Sequence, residues 1–357
     1  MKKEIKFSNK LVGLHHPTYF IADIAANHDG KLEKALDLIQ AAHDSGADAA
    51  KFQHFDAKTL VSDYGFKNLG NKYSHQKNWK KSIYETYKDA SIDLKWTEKL
   101  KKKCDDIGIE FFSTPYSFEL TDHIDSFINI YKIGSGDITW IELIKYISKK
   151  NKPVILSTGS SNMNEVKLAV ETILDSNENL VLMQCNTNYT ADDNINFNYI
   201  NLNVLKTYKE KFPDIILGLS DHTTGDETVI GAITLGARVI EKHFTLSNEQ
   251  DGPDHKFSMN PKTWSNMVIK SRSIEKSLGD GVKKIEKNES ETKILQRRAI
   301  RSKTNIQKGS MLKTEHLDFL RPCPEDGISP NEKKNLINRK LKKNIKEGDI
   351  IKWQDLE

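Results

Sequence analysis

From Tyr19 onward the chain alternates short apolar runs, polar turns and amphipathic stretches. The apolar runs are YFIADIAA, AAKFQHF, GIEFFSTP, IYKIGSG, PVILSTG, LVLMQC, IILGLSDH and RVIEKHF, and each reads as a strand. Between them, LEKALDLIQAAHDSG, TWIELIKYISKK, MNEVKLAVETILDS and ETVIGAITLGA repeat apolar residues at spacings of three and four, as a helix with one buried face does. A last helical stretch, PKTWSNMVIKSRSIEKSLG, follows the eighth run. Strictly alternating β and α units predict a parallel sheet, and eight of them predict an α/β fold closed into a (β/α)8 TIM barrel. The competitor is an open doubly wound sheet, which carries a Gly-rich loop after its first strand. Here AANHDGKLEKA has only Gly30, which argues against it.

Two regions break the alternation. Residues 56–93 are too long for a βα loop and hold Tyr64, Phe66, Tyr73, Trp79, Tyr84 and Tyr87 among Lys and Asn. This segment is either a cover over a pocket or a surface excursion with its own helix. Beyond Lys283 the charged stretch KKIEKNESETK has no apolar periodicity and reads as a linker. The expected division is a barrel over residues 1–283, a linker over 284–296 and a small β-rich domain over 297–357. In that domain NIQKGSML and NIKEGDII look like an internal pair of strand–turn–strand units.

Composition narrows the function classes. With 37% hydrophobic and 29% charged residues in 357, the chain is a soluble protein with a sizeable core. A formal charge of +4, spread rather than clustered, points to small anionic ligands and away from nucleic acid or membrane partners. Cys104, Cys185 and Cys323 form neither a disulfide framework nor a metal pattern, which suits a reducing cytoplasm. The basic N-terminus lacks the apolar segment of a signal peptide, and no apolar run is long enough to span a bilayer.

The strand RVIEKHFT turns polar at its end, with Glu241 and His243 on the same face as Val239. The C-terminal ends of barrel strands are where such folds carry their active sites. Reading all eight ends gives Asp23 and Asn27; Lys51 and Gln53; Ser113 and Thr114; Lys132, Ser135 and Asp137; Ser157 and Thr158; Gln184 and Asn186; Ser220, Asp221 and His222; Glu241 and His243. Lys51 and Lys132, with the hydroxyls of Thr114, Ser135, Ser157 and Ser220, make a phosphate or carboxylate cradle, unless each lysine is spent on Asp23, Asp137 or Glu241. His222 and His243 end neighbouring strands. Two histidines and a carboxylate with open positions suit Mn2+, Fe2+, Co2+ or Zn2+, although a pair of hydrogen-bonded core histidines has the same spacing. His15, His16, His43 and His123 read as surface residues.

The motifs FIADIAANHDG, SGADAAKFQ, FFSTPYS, YKIGSGD, ILSTGSS, LGLSDHT, IEKHFT and DGPDHKFSMNP resemble, in order, those of the sialic acid synthases, and the tail with LRPCPEDGISP and NIKEGDII resembles their C-terminal antifreeze-like (SAF) domain. That resemblance implies condensation of phosphoenolpyruvate with an N-acylated hexosamine, giving a nine-carbon nonulosonic acid and phosphate. It implies a divalent ion, usually Mn2+, on His222 and His243, and Lys51, Thr114, Lys132, Ser135, Ser157 and Ser220 around phosphoenolpyruvate. Gln53, Asn186, Tyr189 and Asp254 would meet the sugar, and Asp23, Asp137 and Glu241 would be the catalytic carboxylates. It also implies a homodimer with swapped C-terminal domains, so that Arg321 would reach the sugar from the partner subunit.

The chain departs from that pattern at Asp23 and Asp137, where the resemblance leads one to expect Glu. Each change shortens a carboxylate by one carbon–carbon bond, roughly 1.5 Å. LMQCNTNYT also departs, with Gln184 before the cysteine and Asn186–Thr187 in place of a Thr–Asn order. The shortened carboxylates point either to a pocket re-spaced for a different sugar or to weakened catalysis, and the Gln184–Thr187 departure bears on the identity of the sugar, N-acetylmannosamine or a diacetamido-trideoxyhexose. Two rival readings are a metal-independent Schiff-base aldolase using Lys51 or Lys132, and a catalytically silent sugar-binding paralogue.

Overall fold

The computed structural model describes residues 4–69, 81–189, 192 and 196–357, which form two compact units, Met1–Gly279 and Asp280–Glu357. The first unit is a closed barrel of eight parallel strands. They are β1 (Tyr19–Asp23), β2 (Ala49–His54), β3 (Glu110–Pro115), β4 (Tyr131–Ile133), β5 (Val154–Ser157), β6 (Leu180–Cys185), β7 (Ile216–Asp221) and β8 (Val239–His243). Each neighbours the next in chain order, and β8 pairs with β1 to close the ring. This is the α/β barrel that the eight-fold alternation predicts.

The helices form where polar caps meet an apolar stripe. In Met163–Leu174 the Asn162 side chain accepts from the backbone of Asn164 and Glu165, the Glu165 carboxylate accepts in return from Asn162 N–H, and Val166, Ala169, Val170 and Ile173 are buried. That reciprocal cap satisfies amides that would otherwise lack partners, and burying each larger apolar side chain stabilises by about 1.5–3 kcal/mol. Asn260 caps Pro261–Leu278 in the same way, with Pro261 in the first turn, where a missing N–H costs nothing. Inside the barrel, Gly218 has to be glycine because a Cβ there would stand 2.6 Å from the Val239 carbonyl and 3.0 Å from Met183 Cγ. An N-terminal hairpin, Ile5–Phe7 with Lys10–Val12, adds Ile5, Phe7 and Val12 to the core, and Phe7 meets Tyr19 edge-on at 5.2 Å. Its strands have three residues each, too short to leave a periodicity.

The 56–93 insertion divides in character. Its short helices run Ala57–Leu60, Asp63–Leu69 and Ile83–Ala90. Tyr87 packs on Phe55 at 5.6 Å and Phe55 on Tyr116 at 6.0 Å, whereas Tyr64 is 81% exposed. Tyr73 and Trp79 lie outside the described residues.

The second unit has its own core, built from Ile300, Ile306, Leu312, Leu317, Ile328, Leu336, Leu341, Ile345, Ile351 and Leu356. Its strands β9 (Ala299–Ser302) and β10 (Leu317–Leu320) are antiparallel. The paired motifs meet each other: Ile306 and Ile345 form an antiparallel bridge, and Gly309 and Gly348 take the equivalent turn positions with φ of 83° and 84°. Positive φ at both explains glycine at both. The charged stretch 284–296, expected as a linker, holds a helical turn at Lys287–Glu289 and a helix at Ser290–Gln296. Glu289 accepts from the Glu286 backbone N–H and caps that turn, a local signal that apolar periodicity does not register.

Candidate active site

Strand parity decides which polar strand ends reach the barrel mouth. Asp23, Lys51, Gln53, Thr114, Lys132, Ser157, Ser220, Glu241 and His243 turn inward, and with them Cys185. The residues one position out of phase turn toward the helices, so part of the ring expected from the sequence is corrected. Ser113 meets His54 Nδ1 at 2.7 Å, Thr158 donates to the Met183 carbonyl, Gln184 donates to the Ile200 carbonyl and Asp221 pairs with Lys242. A strand repeats every two residues, so neighbouring polar positions cannot share a face. Asn27 is a brace, donating to the Phe244 carbonyl and to Ser258 Oγ.

One half of the mouth is an ion network. Lys51 Nζ lies 2.7 Å from Asp23 and 3.6 Å from Glu241, and Lys132 Nζ lies 3.4 Å from the other oxygen of Glu241. Gln53 and the Ala25 N–H donate to Asp23, and Ser220 donates to Glu241. All four charged groups are at most 4% exposed. Burial would raise the Asp23 carboxyl, but the Lys51 ammonium holds it below its usual range. Burial likewise works against the Lys51 ammonium, which Asp23 and Glu241 keep above its usual value. Lys132 is different: burial and the charge of Lys51 outweigh Glu241 and bring it down. Thr114 Oγ1 and Glu241 Oε2 are buried without a hydrogen-bond partner. Ser135 Oγ accepts from Gly159 N–H, and a Cβ on Gly159 would stand 1.8 Å from Thr187 Oγ1 and 3.1 Å from Cys185 Sγ. Asp137, in the turn after β4, is pushed up to about 6 by burial.

The other half holds the histidines. The rings of His222 and His243 are 5.3 Å apart, with Phe257 at 4.9 Å from His243 and Tyr189 at 4.6 Å from His222. The Asn186 carbonyl accepts from His222 Nδ1 at 3.0 Å, which leaves Nε2 with the lone pair in the neutral ring. Burial brings His243 down to about 3, so it stays neutral at physiological pH. Its Nδ1 is buried without a hydrogen-bond partner and lies 3.7 Å from Asp254, whose carboxyl burial pushes up to about 6. Burial works against a charged His222 ring, but Cys185 and the Asn186 carbonyl hold it above its usual value. The neutral His243, with its orphaned nitrogen, and the His222 ring 5.3 Å away would hold a divalent ion once His222 gives up its proton. Among the described residues no three His, Cys, Asp or Glu side chains gather to hold an ion unaided, so substrate or water oxygens would complete its shell.

The expected site residues are thus sorted. Asn186 contributes its backbone carbonyl to His222, while its amide donates to the Tyr199 carbonyl. Arg321 belongs to the second unit and is exposed there. His123, expected on the surface, is half-buried with Nε2 3.1 Å from Thr97 Oγ1. Sequence reasoning missed Cys185, Tyr116, Phe257 and His255. Burial would raise the Cys185 thiol, but the neighbouring His222 imidazole draws it below its usual range. His255 joins Thr245 Oγ1 at 2.6 Å to Asp29 at 3.2 Å and so steadies the loop carrying Asp254 and Phe257. Cys185 had a readable signal, since it is in phase with Met183 along β6. Phe257 and His255 lie in a loop without periodicity.

Comparison with known proteins bears on the family and the fold. The NeuB family matches residues 38–283, and the SAF domain matches residues 297–357. An N,N'-diacetyllegionaminic acid synthase of Campylobacter jejuni is 36% identical over 348 residues, covering 94% of this chain and 99% of the relative. A pseudaminic acid synthase of the same species is 34% identical over 345 residues, covering 95% and 96%. The crystal structure of an N-acetylneuraminic acid synthetase from Leptospira borgpetersenii, in complex with citrate, superposes with a TM-score of 0.71 at 29% identity, over 82% of this chain and 95% of that one. With the barrel, the divided mouth and both matched segments in hand, the chain belongs to the NeuB family, the sialic acid synthase group that joins a TIM barrel to a C-terminal SAF domain.

Proposed function

We propose that the protein condenses phosphoenolpyruvate with the open-chain aldehyde of an N-acylated hexosamine, giving a nonulosonic acid and inorganic phosphate. The observation that carries this reading is the pair of buried lysines, Lys51 and Lys132, set beside the His222–His243 pair in one barrel mouth. Buried cations are costly unless an anion meets them, and phosphoenolpyruvate brings a carboxylate and a phosphate. In this reading Lys51, Lys132, Thr114, Ser135, Ser157 and Ser220 bind that anion, and the unpartnered Thr114 hydroxyl gains an acceptor. A divalent ion, proposed as Mn2+ on His222 and His243, would polarise the aldehyde oxygen as a Lewis acid. Carbon 3 of phosphoenolpyruvate bonds to the aldehyde carbon, water adds at carbon 2, and phosphate leaves with its bridging oxygen. Asp23, Asp137 and Glu241 are the carboxylates available to stabilise the cationic centre at carbon 2 and to accept the proton of the water. Asp137 suits proton transfer near neutrality because burial raises it to about 6. Gln53, Tyr189, Asp254 and, from the partner subunit of a domain-swapped dimer, Arg321 are assigned to the sugar.

The acceptor class put forward is a diacetamido-trideoxyhexose ahead of N-acetylmannosamine. The similarity to a legionaminic acid synthase supports it, as does the aromatic group of Phe55, Tyr87 and Tyr116, suited to deoxy and acetamido methyl groups. The deciding assay is phosphate release from phosphoenolpyruvate with Mn2+, run with each sugar and without sugar, with mass analysis of products. Sugar-dependent release, with a product three carbons longer than the acceptor, is expected; release without sugar, or none with any N-acylated hexosamine, defeats the proposal.

One observation favours a second reading. Lys132 is desolvated beside another cation and its ammonium is brought down, which is how an imine-forming lysine is activated. Borohydride trapping of substrate on Lys132, with turnover that survives a chelator, would favour the Schiff-base aldolase.

A further inference from the structure

The outer faces of β7 and β8 carry a feature that the chemistry of the mouth does not use. Asp221 and Lys242 are register partners on these strands, and their paired side chains are each 1% exposed. The Lys242 ammonium also donates to the Thr223 carbonyl at 2.6 Å. Thr223 Oγ1 and Thr228 Oγ1 donate to the same Asp221 oxygen at 2.7 and 2.8 Å, and that oxygen also takes the lysine. Burying two charges is expensive, and a well-packed apolar pair at such a position is usually as stable or more so. An ion pair has directionality that an apolar contact lacks, so its place in the chain matters.

That place is adjacent to the histidines. Asp221 precedes His222 and Lys242 precedes His243, so the clamp faces outward one residue before each ring faces inward. Thr223, held by both members of the pair, follows His222. His222 is therefore bracketed by anchored residues at 221 and 223, and its ring is fixed by the Asn186 carbonyl. His243 is flanked by anchored Lys242 and by Phe244, whose N–H donates to the Asp23 carbonyl.

We propose that the Asp221–Lys242 pair is a positioning device for the His222–His243 site: it locks the relative register and roll of β7 and β8, so that the two imidazoles converge on one divalent ion. The proposal rests on the reading of those histidines as metal ligands. It assigns Asp221, Lys242, Thr223 and Thr228 no contact with substrate or ion.

The test is direct Mn2+ titration of the full-length protein by calorimetry, with phosphoenolpyruvate affinity and melting temperature measured in parallel. Replacing both charges by apolar side chains, Asp221→Leu with Lys242→Met, is expected to keep the melting temperature and leave phosphoenolpyruvate affinity within about twofold, while Mn2+ binding weakens at least about tenfold. Mn2+ affinity within twofold of the parent in the folded double variant overturns the proposal. Should that variant not fold, Lys242→Arg decides: it keeps the charge pair but changes its length and shape. Weaker Mn2+ binding at unchanged melting temperature supports the clamp, and unchanged Mn2+ binding overturns it. His222→Ala is the control for the underlying reading. If it binds Mn2+ as tightly as the parent, the metal site and the clamp fall together; if it loses Mn2+ while both clamp variants keep it, only the clamp falls.

Discussion

The two halves of the barrel mouth solve the burial of polar groups in opposite ways. On the lysine side, Lys51, Lys132, Asp23 and Glu241 satisfy one another, apart from Glu241 Oε2 and the nearby Thr114 hydroxyl. On the histidine side, burial keeps His243 neutral, and its Nδ1 is left without a partner. The lysine half is thus poised to exchange carboxylate contacts for a substrate anion, whereas the histidine half keeps the lone pair of His243 Nδ1 for an electrophile. The difference shows that charge alone does not mark a binding site: one half is legible from its cations, the other from the orphaned nitrogen of a neutral His243.

Separating the halves is the sharpest way to break the comparison. His243→Ala should lower Mn2+-dependent kcat by at least about 1000-fold, the scale of a lost electrophilic contact, while phosphoenolpyruvate still binds. Steady-state kinetics with ligand titration measure both, and full turnover in the variant would remove the metal role. Lys132→Met should do the reverse, weakening phosphoenolpyruvate binding by roughly 100-fold with Mn2+ affinity retained. It should also lower the melting temperature, because Glu241 is left with a weaker set of partners.

Smaller effects sharpen the electrostatics. Burial raises Asp137 from its ordinary 3.8 to about 6, so the folded chain holds its proton more tightly than the unfolded one. The stability from this group is therefore complete below about pH 4 and declines as pH rises through about 6. Asp137→Asn should raise the melting temperature at pH 8, by the equivalent of about 1–2 kcal/mol once partial exposure is allowed for, and change little at pH 4. Thermal melts at the two pH values test the sign, and a lower melting temperature at pH 8 would contradict it. Thr114→Val should be the mildest change, leaving stability near the parental value because the hydroxyl has no partner to lose, while phosphoenolpyruvate KM rises about 3–10-fold.

The barrel was legible in the chain because its signals are local. Period-two apolar runs alternate with period-three-and-four stretches eight times over, and the polar change at the end of RVIEKHFT marks one strand end. The lysines and histidines of the mouth follow from those ends. The sorting of their neighbours does not: Ser113, Gln184 and Asp221 look as eligible as Thr114, Cys185 and Ser220 until the phase of each strand is known. A slip of one residue reverses which set faces inward, and phase is set by packing against Met183, Gly218 and the surrounding helices.

Sequence by itself determined the α/β alternation, the small C-terminal unit with its two-fold motif, and the residue types offered at the strand ends, because propensity, periodicity and turn chemistry act over a few neighbours. Only the tertiary structure decided that Lys51 would be shared by Asp23 and Glu241, that His243 would be desolvated and unpartnered, and that Asp221 would meet Lys242 behind the histidines. Those outcomes join residues far apart in the chain and depend on burial, which exists only once the barrel has closed.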